Sequence, residues 1–585
     1  MLRTKIICTI GPASRTPQML KDLIASGMDV ARLNLSHGDQ DYHAENIRLV
    51  RQASEEAGRP VAILIDLQGP KLRVGKLEGE GVFLHEGEEI VLITRPLLGH
   101  PGEIPVQYSD LPQFVAPGDR ILLDDGLMEI VVLEAAGTEI RCQVITGGLL
   151  ESNKGMNLPR AHTSIASISE KDEKDLAFAL EHQADWIGLS FVRSADDVQA
   201  LKGLIQNQCC FGRPVPVVAK IEKPEAVQAI DAIIAISDGI MVARGDLGIE
   251  TSPEEVPLVQ KMIIAKCNQA GVPVITATQM LDSMIRNPRP TRAEASDVAN
   301  AILDGSDAIM LSGETAVGKY PLEALRTMVK IAERAEAGME KVFPLRRRLE
   351  SKTKSIAEAV SHATCETARD LDAAAIITPT VSGHTARMIS RHRPATPIVA
   401  VTPSPMVQRQ LCMYWGVYPL LAKRTASTDE MLAAATSVAR AHGFVKPGDL
   451  IVMTAGSAGS APGTTNLIRV QIVERILASG TGIGQESAQG QVRIIGDALP
   501  DEAEIRSSDI LVAKATNKSF VPLAQRSAGL VVVEGGAGSH AAQMALEIGL
   551  TAIIGVSDAL SVLKDGQKVT LDPARGVVYE GLIKL

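Results

Sequence analysis

Three charged residues, close together in the chain, could hold a divalent cation and stabilise a transferring group. Glu222 and Asp246 each follow a short apolar run, and carboxylate oxygens are ligands that Mg²⁺ prefers, with water and substrate phosphate completing an octahedron. Lys220 lies two residues before Glu222 and therefore on the same face of a strand. Its ammonium could stabilise a transferring phosphoryl group or an enolate oxygen. Together the three residues indicate an electrostatic clamp.

The same residues also allow a structural interpretation. A Lys-x-Glu pair on a strand is usually a solvated ion pair, and Arg-Gly-Asp at 244–246 is a common loop triplet. The combination favours chemistry, because cations, carboxylates, hydroxyls and glycines follow six of eight short apolar runs. In a barrel of parallel strands, such strand ends gather on one rim, and active sites lie on that rim.

Hydrophobic patterning predicts the elements that position these residues. Eight short β-type runs alternate with helical patterns before residue 320, and eight is the number that closes a TIM (β/α)8 barrel. We therefore expect an α/β fold whose catalytic barrel comprises residues 1–68 and 164–340. The runs span 5–10, 30–35, 61–66, 186–191, 215–221, 239–243, 273–277 and 308–311.

Three further segments are expected around this barrel. The third and fourth runs are too far apart for an ordinary crossover, and the turn signals between them predict an inserted all-β lid domain over 69–163. Strands and helices alternate again over 341–473, which predicts a C-terminal α/β regulatory domain. A Gly/Ser-rich stretch at 479–484 indicates a flexible linker to an appended domain over 485–585.

The composition limits the class of protein. A chain of 585 residues with a hydrophobic fraction of 45% predicts several globular domains. The net charge of -10 argues against broad nucleic-acid binding, and the seven cysteines lack metal-ligand spacing, which indicates reduced thiols. Neither a cleavable leader nor an apolar stretch as long as a membrane span occurs, so we expect a soluble cytoplasmic protein without membrane contacts.

Several motifs occur in one specific combination. The most specific are Val-Ala-Lys-Ile-Glu-Lys-Pro-Glu at 218–225 and Met-Val-Ala-Arg-Gly-Asp-Leu-Gly at 241–248, and further matching stretches lie at 4–12, 32–38, 153–159 and 310–316. This combination covers essentially residues 1–473 and resembles the pyruvate kinase family. The resemblance implies transfer of the phosphoryl group of phosphoenolpyruvate to ADP, giving pyruvate and ATP in glycolysis, by a homotetramer.

The resemblance also implies a role for each matching residue. Lys220 would stabilise the transition state, Glu222 and Asp246 would hold Mg²⁺ or Mn²⁺, and Arg32 would bind the phosphoryl group. Thr278 would relay a proton to enolpyruvate through an ordered water, because a threonine hydroxyl is too weak an acid to act alone. The implied substrate-binding residues are Arg32, Gly245, Asp246 and Thr278, and the implied nucleotide-binding residues are Asn34, His37, Arg73 and Lys154.

One departure from the family concerns a monovalent cation. Many members use K⁺ at residues that match Asn34, Ser36, Asp66 and the carbonyl of Leu67, and they carry Thr, Lys and Glu at positions 67, 68 and 71. This chain has Leu, Gln and Lys there, as in the potassium-independent branch of the family. We hypothesise that the ammonium of Lys71 supplies the monovalent charge, so that K⁺ is not required. The alternative is that Lys71 faces solvent.

A loop in the predicted regulatory domain could bind a phosphorylated effector. It follows a strand, precedes a helix and offers backbone N–H groups and hydroxyls, as a phosphate-binding nest does. It matches the family's effector site, which implies a sugar phosphate or AMP as the effector, and the alternative is an ordinary turn. The residues concerned are Thr380, Ser382, Gly383, His384 and Thr385.

The appended domain supplies the competing hypothesis. Its segment Val-Glu-Gly-Gly-Ala-Gly-Ser-His-Ala-Ala at 533–542 resembles the phosphohistidine domain of phosphoenolpyruvate-utilising enzymes, with His540 in the phosphorylated position. The alternatives are a phosphoenolpyruvate phosphotransferase that uses His540, or a structural role for this domain. A catalytically inactive regulatory paralogue is disfavoured, because Lys220, Glu222, Asp246 and Thr278 are all present.

Overall fold

The structure, a computed structural model, describes residues 1–70, 72–124, 126–158, 166–208, 214–342, 355–456, 465–496, 498–536 and 538–583. The chain forms two compact units. The first comprises Met1–Ser355, Thr380–Pro394 and Thr402–Leu421, and the second comprises Ile356–Pro379, Ala395–Val401 and Ala422–Leu585. Among the described helices, none is both long enough and apolar enough to cross a membrane.

The first three barrel strands alternate with two helices. Helix α1 begins after Thr16, whose hydroxyl accepts from the N–H of Met19, with Pro17 at its first position, and it ends at Gly27 with φ of 123°. A glycine suits this C-terminus because a side chain is strained at positive φ. The elements are β1 (Lys5–Thr9), α1 (Pro17–Ser26), β2 (Val30–Asn34), α2 (Gln40–Glu56) and β3 (Ala62–Asp66).

An inserted β domain follows β3, as the sequence predicts. Six strands form a sheet in the order β11-β7-β8-β9-β5-β6, and β10 pairs with β4. In β9 the side chains of Ile140, Cys142 and Val144 are buried and alternate with exposed ones, which is the pattern of a half-buried strand. The strands are β4 (Val82–Leu84), β5 (Glu89–Ile93), β6 (Glu103–Pro105), β7 (Arg120–Leu123), β8 (Met128–Ala136), β9 (Glu139–Thr146), β10 (Gly148–Leu150) and β11 (Met156–Asn157).

The remaining strands close the barrel in the order β1-β16-β15-β14-β13-β12-β3-β2. All eight predicted barrel strands are confirmed, and their ends agree with the predicted runs to within two residues. The further elements are α3 (Glu170–Glu181), β12 (Trp186–Leu189), α4 (Ala195–Gln208), β13 (Val217–Ile221), α5 (Pro224–Gln228), α6 (Ile230–Ile236), β14 (Gly239–Ala243), α7 (Arg244–Glu250), α8 (Val256–Ala270), β15 (Val274–Ala277), α9 (Arg292–Asp304), β16 (Ala308–Leu311), α10 (Gly313–Ala316) and α11 (Pro321–Val342).

Four aspartates at the amino-terminal end of the barrel repeat one arrangement, and we call them the aspartate rim: Asp29, Asp185, Asp238 and Asp307. Each immediately precedes an even-numbered strand of the barrel, counted along the chain. Each carboxylate accepts from a backbone N–H of the preceding odd-numbered strand at 2.8–3.0 Å, and the aspartate's own N–H donates to the carbonyl of that same residue. At the end of the hydrogen-bond ladder between the two strands, the aspartate carboxylate thereby takes the place of a backbone carbonyl as the acceptor.

A second α/β layer follows the barrel, as predicted. Strands β18, β17, β20 and β21 lie side by side in that order, and only β21 is antiparallel to its neighbour. The elements are α12 (Ile356–Asp370), β17 (Ala375–Pro379), α13 (His384–Ser390), β18 (Ile398–Thr402), α14 (Pro405–Gln410), β19 (Val417–Leu421), α15 (Thr428–Ala441), β20 (Leu450–Ala455) and β21 (Leu467–Ile472).

The last part of the chain forms an eight-stranded mixed sheet in the order β22-β29-β28-β24-β25-β26-β27-β23. Its elements are β22 (Ile476–Ser479), β23 (Thr481–Ile483), β24 (Ala488–Ile495), β25 (Asp509–Ala513), α16 (Val521–Arg526), β26 (Gly529–Val532), α17 (His540–Ile548), β27 (Ala552–Ile554), α18 (Ala559–Val562), β28 (Lys568–Asp572) and β29 (Val577–Glu580).

The predicted flexible linker at 479–484 is wrong, because this stretch belongs to the two edge strands β22 and β23 of that sheet. The glycines are needed for close packing. A Cβ on Gly480 would lie 2.4 Å from the carbonyl oxygen of Ile554, and one on Gly482 would lie 1.9 Å from that of Pro573. Glycine in a strand marks a close approach of backbones as readily as it marks flexibility.

Candidate active site

Lys220 lies at the centre of a buried group of charges at the carboxyl ends of the barrel strands. It is the fourth residue of β13, and its Nζ donates to Ser190 Oγ at 2.7 Å. The same Nζ lies 3.0 Å from Glu222 Oε1 and 3.3 Å from Asp66 Oδ2. Burial by itself would lower the pKa of this ammonium, but the carboxylates of Asp66 and Glu222 outweigh it and raise the pKa. Lys220 is therefore a fixed positive charge.

Arg32 is oriented by the same aspartate. Its Nε and Nη2 donate to Asp66 Oδ2 at 2.9 and 2.5 Å, and its Nη1 donates to Thr9 Oγ1 at 3.1 Å. Burial would raise the pKa of Asp66, but the charges of Lys220 and Arg32 outweigh it and lower the pKa. Asp66 stays ionised and holds a guanidinium and an ammonium side by side.

Glu222 and Asp246 fit the chemistry of a divalent cation. Glu222 follows β13 directly, and its Oε2 accepts from the backbone N–H of Phe191 at 2.7 Å. Burial raises the pKa of Glu222, Lys220 lowers it, and the negative charge of Asp246 raises it further. A cation between two such carboxylates would offset the repulsion between their negative charges at a buried site.

The described residues include no cluster of three or more His, Cys, Asp or Glu side chains that could hold a metal ion. The protein would therefore contribute two carboxylates, Glu222 and Asp246, and the remaining ligands would come from water and substrate. Such partial coordination is usual for Mg²⁺.

Thr278 is held in a constrained conformation after β15. Its φ is +68°, which is costly for a β-branched residue. Its Oγ1 accepts from the N–H of Gly245 at 2.7 Å and donates to the carbonyl of Ala277 at 2.6 Å. Arg244 donates to the Thr278 carbonyl at 2.9 Å and pairs with Asp297. The predicted substrate-binding residues Gly245 and Thr278 are therefore in direct contact.

Ser190, which directly follows the fourth barrel strand β12, was not among the predicted site residues. Its Oγ donates to the carbonyl of Leu67 at 2.7 Å and accepts from Lys220. The signal was available, because the polar residue after each strand was considered for six strands but not for the first and fourth. Thr9, at the end of the first strand, was missed for the same reason and binds Arg32.

The predicted nucleotide-binding residues lie on two different elements. Arg73 forms an isolated bridge with Gly155, next to Lys154, in the inserted domain. Both side chains contact atoms of that domain: Arg73 donates to the carbonyl of Asn153, and Lys154 pairs with Asp124 at 3.0 Å. Asn34 and His37 lie instead where β2 ends on the barrel rim.

The inserted domain contacts the barrel near these residues. Nδ2 of Asn157, in β11, donates to Oε1 of the buried Glu250 at 2.8 Å. The same oxygen lies 2.6 Å from Nζ of Lys223, one residue after the proposed metal ligand Glu222. The pair Asn157 and Glu250 therefore links the inserted domain to the catalytic rim.

One oxygen among the predicted monovalent-cation residues is buried without a hydrogen-bond partner among the described residues. This oxygen is Oδ1 of Asp66. Asn34 accepts from the N–H of Ser36 at 3.2 Å, and the carbonyl of Leu67 accepts from Ser190. Lys71, the hypothesised internal cation, lies outside the described residues.

The predicted effector loop connects β17 to α13. The N–H of Gly383 donates to Thr380 Oγ1 at 2.9 Å, and the N–H of His384 donates to Ser382 Oγ at 3.4 Å. Thr385 is buried at the start of α13. The hydroxyls of this loop therefore organise its own backbone.

His540 begins α17 in the appended domain. Its Nδ1 lies 3.0 Å from the hydroxyl of Thr516. This contact fixes the orientation of the ring, and the hydrogen-bonding role of each nitrogen depends on the tautomer.

A closed (β/α)8 barrel in which an ammonium, a guanidinium and two carboxylates meet at the strand ends defines a barrel protein with a buried, charged site at the end where barrel enzymes have their active sites. Comparisons with known proteins give the family. Residues 1–325 match the pyruvate kinase barrel domain, residues 358–471 match the pyruvate kinase alpha/beta domain, and residues 505–576 match the mobile domain of PEP-utilising enzymes. The chain belongs to the pyruvate kinase family.

Full-length relatives agree with these matches. The chain is 46% identical over 583 residues to a pyruvate kinase of Bacillus licheniformis and 45% identical over 581 residues to one of Geobacillus stearothermophilus, with 99% of both chains covered in each case. It is 46% identical over 586 residues to pyruvate kinase 2 of a Synechocystis species, covering 99% of this chain and 98% of the relative. The match to these relatives thus extends over the whole chain, which is a phosphotransferase of this family.

Proposed function

We propose that this chain transfers the phosphoryl group of phosphoenolpyruvate to ADP, giving pyruvate and ATP, and that it acts in glycolysis. The observation that carries the proposal is the buried Lys220 ammonium, which lies within 3.3 Å of both Asp66 and Glu222. Phosphoryl transfer depends mainly on positioning and on charge stabilisation, and a fixed cation at a buried site supplies both.

Arg32 and Lys220 have different roles toward the phosphoryl group. Both are oriented by Asp66, so neither must reorganise when substrate binds. Arg32 binds the phosphoryl oxygens, and Lys220 stabilises the charge that develops as the phosphoryl group leaves the enolate oxygen. Preorganised donors of this kind are worth about 10²–10³ in kcat for each donor.

Thr278 and Gly245 receive the substrate carboxylate together with Asp246. The contact between the Gly245 N–H and Thr278 Oγ1 fixes the hydroxyl at the site. After transfer, the enolate carbon must gain a proton, and Thr278 delivers it through an ordered water. Arg244 maintains this geometry through the carbonyl of Thr278.

Glu222 and Asp246 are the proposed ligands of Mg²⁺ or Mn²⁺. A divalent cation, when bound there, neutralises the phosphoryl and carboxylate oxygens of the substrate. Arg73 and Lys154 bind the nucleotide from the inserted domain, with Asn34 and His37 on the barrel rim. Closure of the inserted domain, a lid in this proposal, completes the site and excludes water.

The unpartnered Oδ1 of Asp66 is relevant to whether the enzyme needs potassium. Its buried Oδ1 lacks a hydrogen-bond partner among the described residues, which suits either a monovalent ion at Asn34, Ser36, Asp66 and Leu67 or an internal ammonium. We propose the internal ammonium of Lys71, because lysine replaces a carboxylate that K⁺-dependent members carry at this position.

The main test measures pyruvate formation from phosphoenolpyruvate and ADP with Mg²⁺, in the presence and absence of K⁺. We expect turnover in both salts, and a fall in kcat of at least about 10² for Lys220→Met. Lys261→Met is the matched control, because Lys261 pairs with Asp304 at 2.5 Å on the barrel exterior. Turnover by Lys220→Met at the control's rate would disprove the assigned role of Lys220, and a strict need for K⁺ would disprove that of Lys71.

Regulation belongs to the same proposal. A phosphorylated effector, a sugar phosphate or AMP, binds the loop formed by Thr380, Ser382, Gly383, His384 and Thr385 in a cytoplasmic homotetramer. We expect Thr385→Ala to weaken the response of the phosphoenolpyruvate KM to the effector while the basal kcat remains. An unchanged effector response in that variant would contradict the assignment of the loop.

The proposed domain limits are a barrel at 1–68 and 164–340, a lid at 69–163, a regulatory domain at 341–473 and an appended domain at 485–585. Limited proteolysis with mass spectrometry of the fragments tests these limits. Cuts confined to the interiors of these ranges would contradict them.

A further inference from the structure

A cleft of about 320 Å³ lies in the second compact unit, where the α/β layer that follows the barrel meets the appended domain. All of its lining residues belong to that unit. One wall comes from the carboxyl-terminal half of α15, from β21 and from the two residues after β21. The other wall is Arg575, in the turn between β28 and β29. The volume falls within the range of small-molecule sites.

Three guanidinium groups reach this cleft from three separate elements. Arg440 lies in the last turn of α15, Arg469 lies on β21, and Arg575 belongs to the appended domain. Glu474 is the one carboxylate among the described residues of the lining, so three positive charges and one negative charge leave a net charge of +2. A cleft lined mainly by one sign of charge raises the local concentration of ions of the opposite sign. The charge of the cleft therefore favours an anion.

The three guanidinium groups are open to an incoming ligand. The side chain of Arg575 is 64% exposed and that of Arg469 is 47% exposed, and Arg440 is partly exposed. Within the described part of the chain, the Arg440 guanidinium forms neither an ion pair nor a hydrogen bond. Its N–H donors are thus available to acceptor oxygens of an occupant.

The carboxylates near the other two arginines hold them weakly. Arg469 pairs at 3.1 Å with Asp429, whose side chain is 91% exposed. Arg575 lies 3.8 Å from Glu474 and 3.8 Å from Asp572, which is longer than a hydrogen bond. Exposed ion pairs of this kind contribute about 0–1 kcal/mol, so a doubly charged anion can compete for both guanidinium groups.

The uncharged part of the lining indicates a polar ligand. Ser437 is exposed, and Nε2 of Gln471 donates to Oγ1 of Thr436 at 3.4 Å. Among the described residues, no Phe, Tyr, Trp or His lines the cleft. A nucleobase is usually held by stacking on such a ring, so the lining favours a compact anion over a nucleotide.

We propose that this cleft binds a small anion that carries two phosphoryl groups, with their oxygens at Arg440, Arg469 and Arg575. A guanidinium donates two parallel hydrogen bonds to a phosphoryl group, and two such groups on one ligand can engage both walls of the cleft. The appended domain thereby contributes a residue to a binding site. This role is independent of His540, and the inference goes beyond the proposed function.

The cleft is separate from the effector loop. None of the residues from Thr380 to Thr385 lines it. Gln471 pairs in register with Ile451, near the amino-terminal end of β20. The effector loop instead follows the carboxyl end of β17, which runs parallel to β20. The two features therefore belong to opposite ends of the same sheet.

Isothermal titration calorimetry of the full-length protein without Mg²⁺ tests the proposal. The probes are pyrophosphate, with two linked phosphoryl groups, glycerol 1,3-bisphosphate, with the same groups on a hydroxylated carbon chain, and inorganic phosphate, with one. We expect saturable binding of at least one of the first two probes, with a Kd at least about tenfold below that of inorganic phosphate. The stronger of the two probes shows whether the phosphoryl groups of the ligand are linked or separate.

Two variants assign the binding to the cleft. Arg440→Met should weaken it at least about tenfold, because a hydrogen bond to a charged group is lost, and the absence of a partner for Arg440 among the described residues favours normal folding. Arg575→Met should weaken it about threefold or more. This second variant removes a donor to the Tyr579 hydroxyl, so far-UV circular dichroism of both variants accompanies the titrations.

Three control variants separate the cleft from other sites. Arg369→Met removes a guanidinium that pairs with Glu366 on α12 of the same compact unit. Thr385→Ala alters the effector loop, and Lys220→Met alters the candidate active site. All three should keep the binding that Arg440→Met weakens. Unchanged affinity in folded Arg440→Met, an equal loss in Arg369→Met, equal affinity for inorganic phosphate, or no saturation by about 10 mM probe would overturn the proposal.

Discussion

Asp66 is the residue on which the arrangement of the candidate site depends. One of its oxygens accepts from Arg32 and lies 3.3 Å from Lys220, and the charges of these two cations outweigh burial and keep the carboxylate ionised. Its neighbour in the adjacent strand is Gly188, which pairs with it in register. A Cβ on Gly188 would lie 2.7 Å from Asp66 Oδ1, so this strand position has room only for glycine.

We predict that Gly188→Ala displaces the Asp66 carboxylate and thereby both cations. A displacement of about 1 Å at such a site can cost about 10² in rate, and we expect kcat/KM to fall by roughly that factor. Steady-state assay of pyruvate formation measures it. Gly203→Ala is the control, because a Cβ there meets no atom within 4 Å. Equal kcat/KM for the two variants would show that Asp66 tolerates displacement.

In the aspartate rim, the same hydrogen bonds between an aspartate and a neighbouring strand recur at every second strand of the barrel. Each of the four carboxylates accepts a hydrogen bond from the preceding strand. Each also forms an ion pair with at least one Arg or Lys side chain. The pairs differ in burial. Asp185 is fully buried and binds both Arg51 at 2.8 Å and Arg409 at 2.7 Å, whereas Asp238 and its partner Lys202 are each more than a quarter exposed.

We predict unequal losses of stability when the charge is removed at these positions. Asp185→Asn leaves two guanidinium groups without their carboxylate and should lower the free energy of unfolding by about 3–5 kcal/mol. Asp238→Asn breaks one partly exposed pair and should cost about 1 kcal/mol or less. Urea denaturation followed by far-UV circular dichroism compares them. Equal midpoints for the two variants would contradict the role assigned to burial.

At the scale of the whole molecule, the catalytic and appended parts belong to different compact units. The proposed catalytic residues lie in the first unit, and His540 lies in the second, where its ring contacts Thr516. The barrel site contains the groups that transfer to ADP requires, so a phosphohistidine relay is unnecessary. We therefore interpret the appended domain as structural.

We predict that His540→Ala keeps kcat and the phosphoenolpyruvate KM within about twofold of the parent chain, since the barrel site itself contains the groups that the reaction requires and most substitutions outside such a site change little. The same preparations, incubated with phosphoenolpyruvate labelled at phosphorus, should retain no label on the protein after gel filtration. A loss of activity above tenfold in His540→Ala, or label that depends on this residue, would favour the relay instead.

The pattern of residues predicted more of the barrel than of its surroundings. Alternation of short apolar runs and helices located all eight barrel strands, because each strand is buried on both faces and must be apolar. The stretch at 479–484 was misassigned because composition does not distinguish a glycine that bends freely from one that lets two backbones approach. Ser190 was not predicted because polar residues were sought after six of the eight strands, and the fourth strand was not among these six.

The sequence by itself determined the fold class, the order of the domains and the family, because strand periodicity and extended motifs are local properties of the chain. Only the tertiary structure decided which side chains meet. Asp66 and Lys220 are 154 positions apart, and their 3.3 Å contact exists because barrel closure brings the strand ends together. The aspartate rim and the cleft beside Arg440 are likewise invisible in the chain, since hydrogen-bond satisfaction and enclosed volume depend on packing in three dimensions.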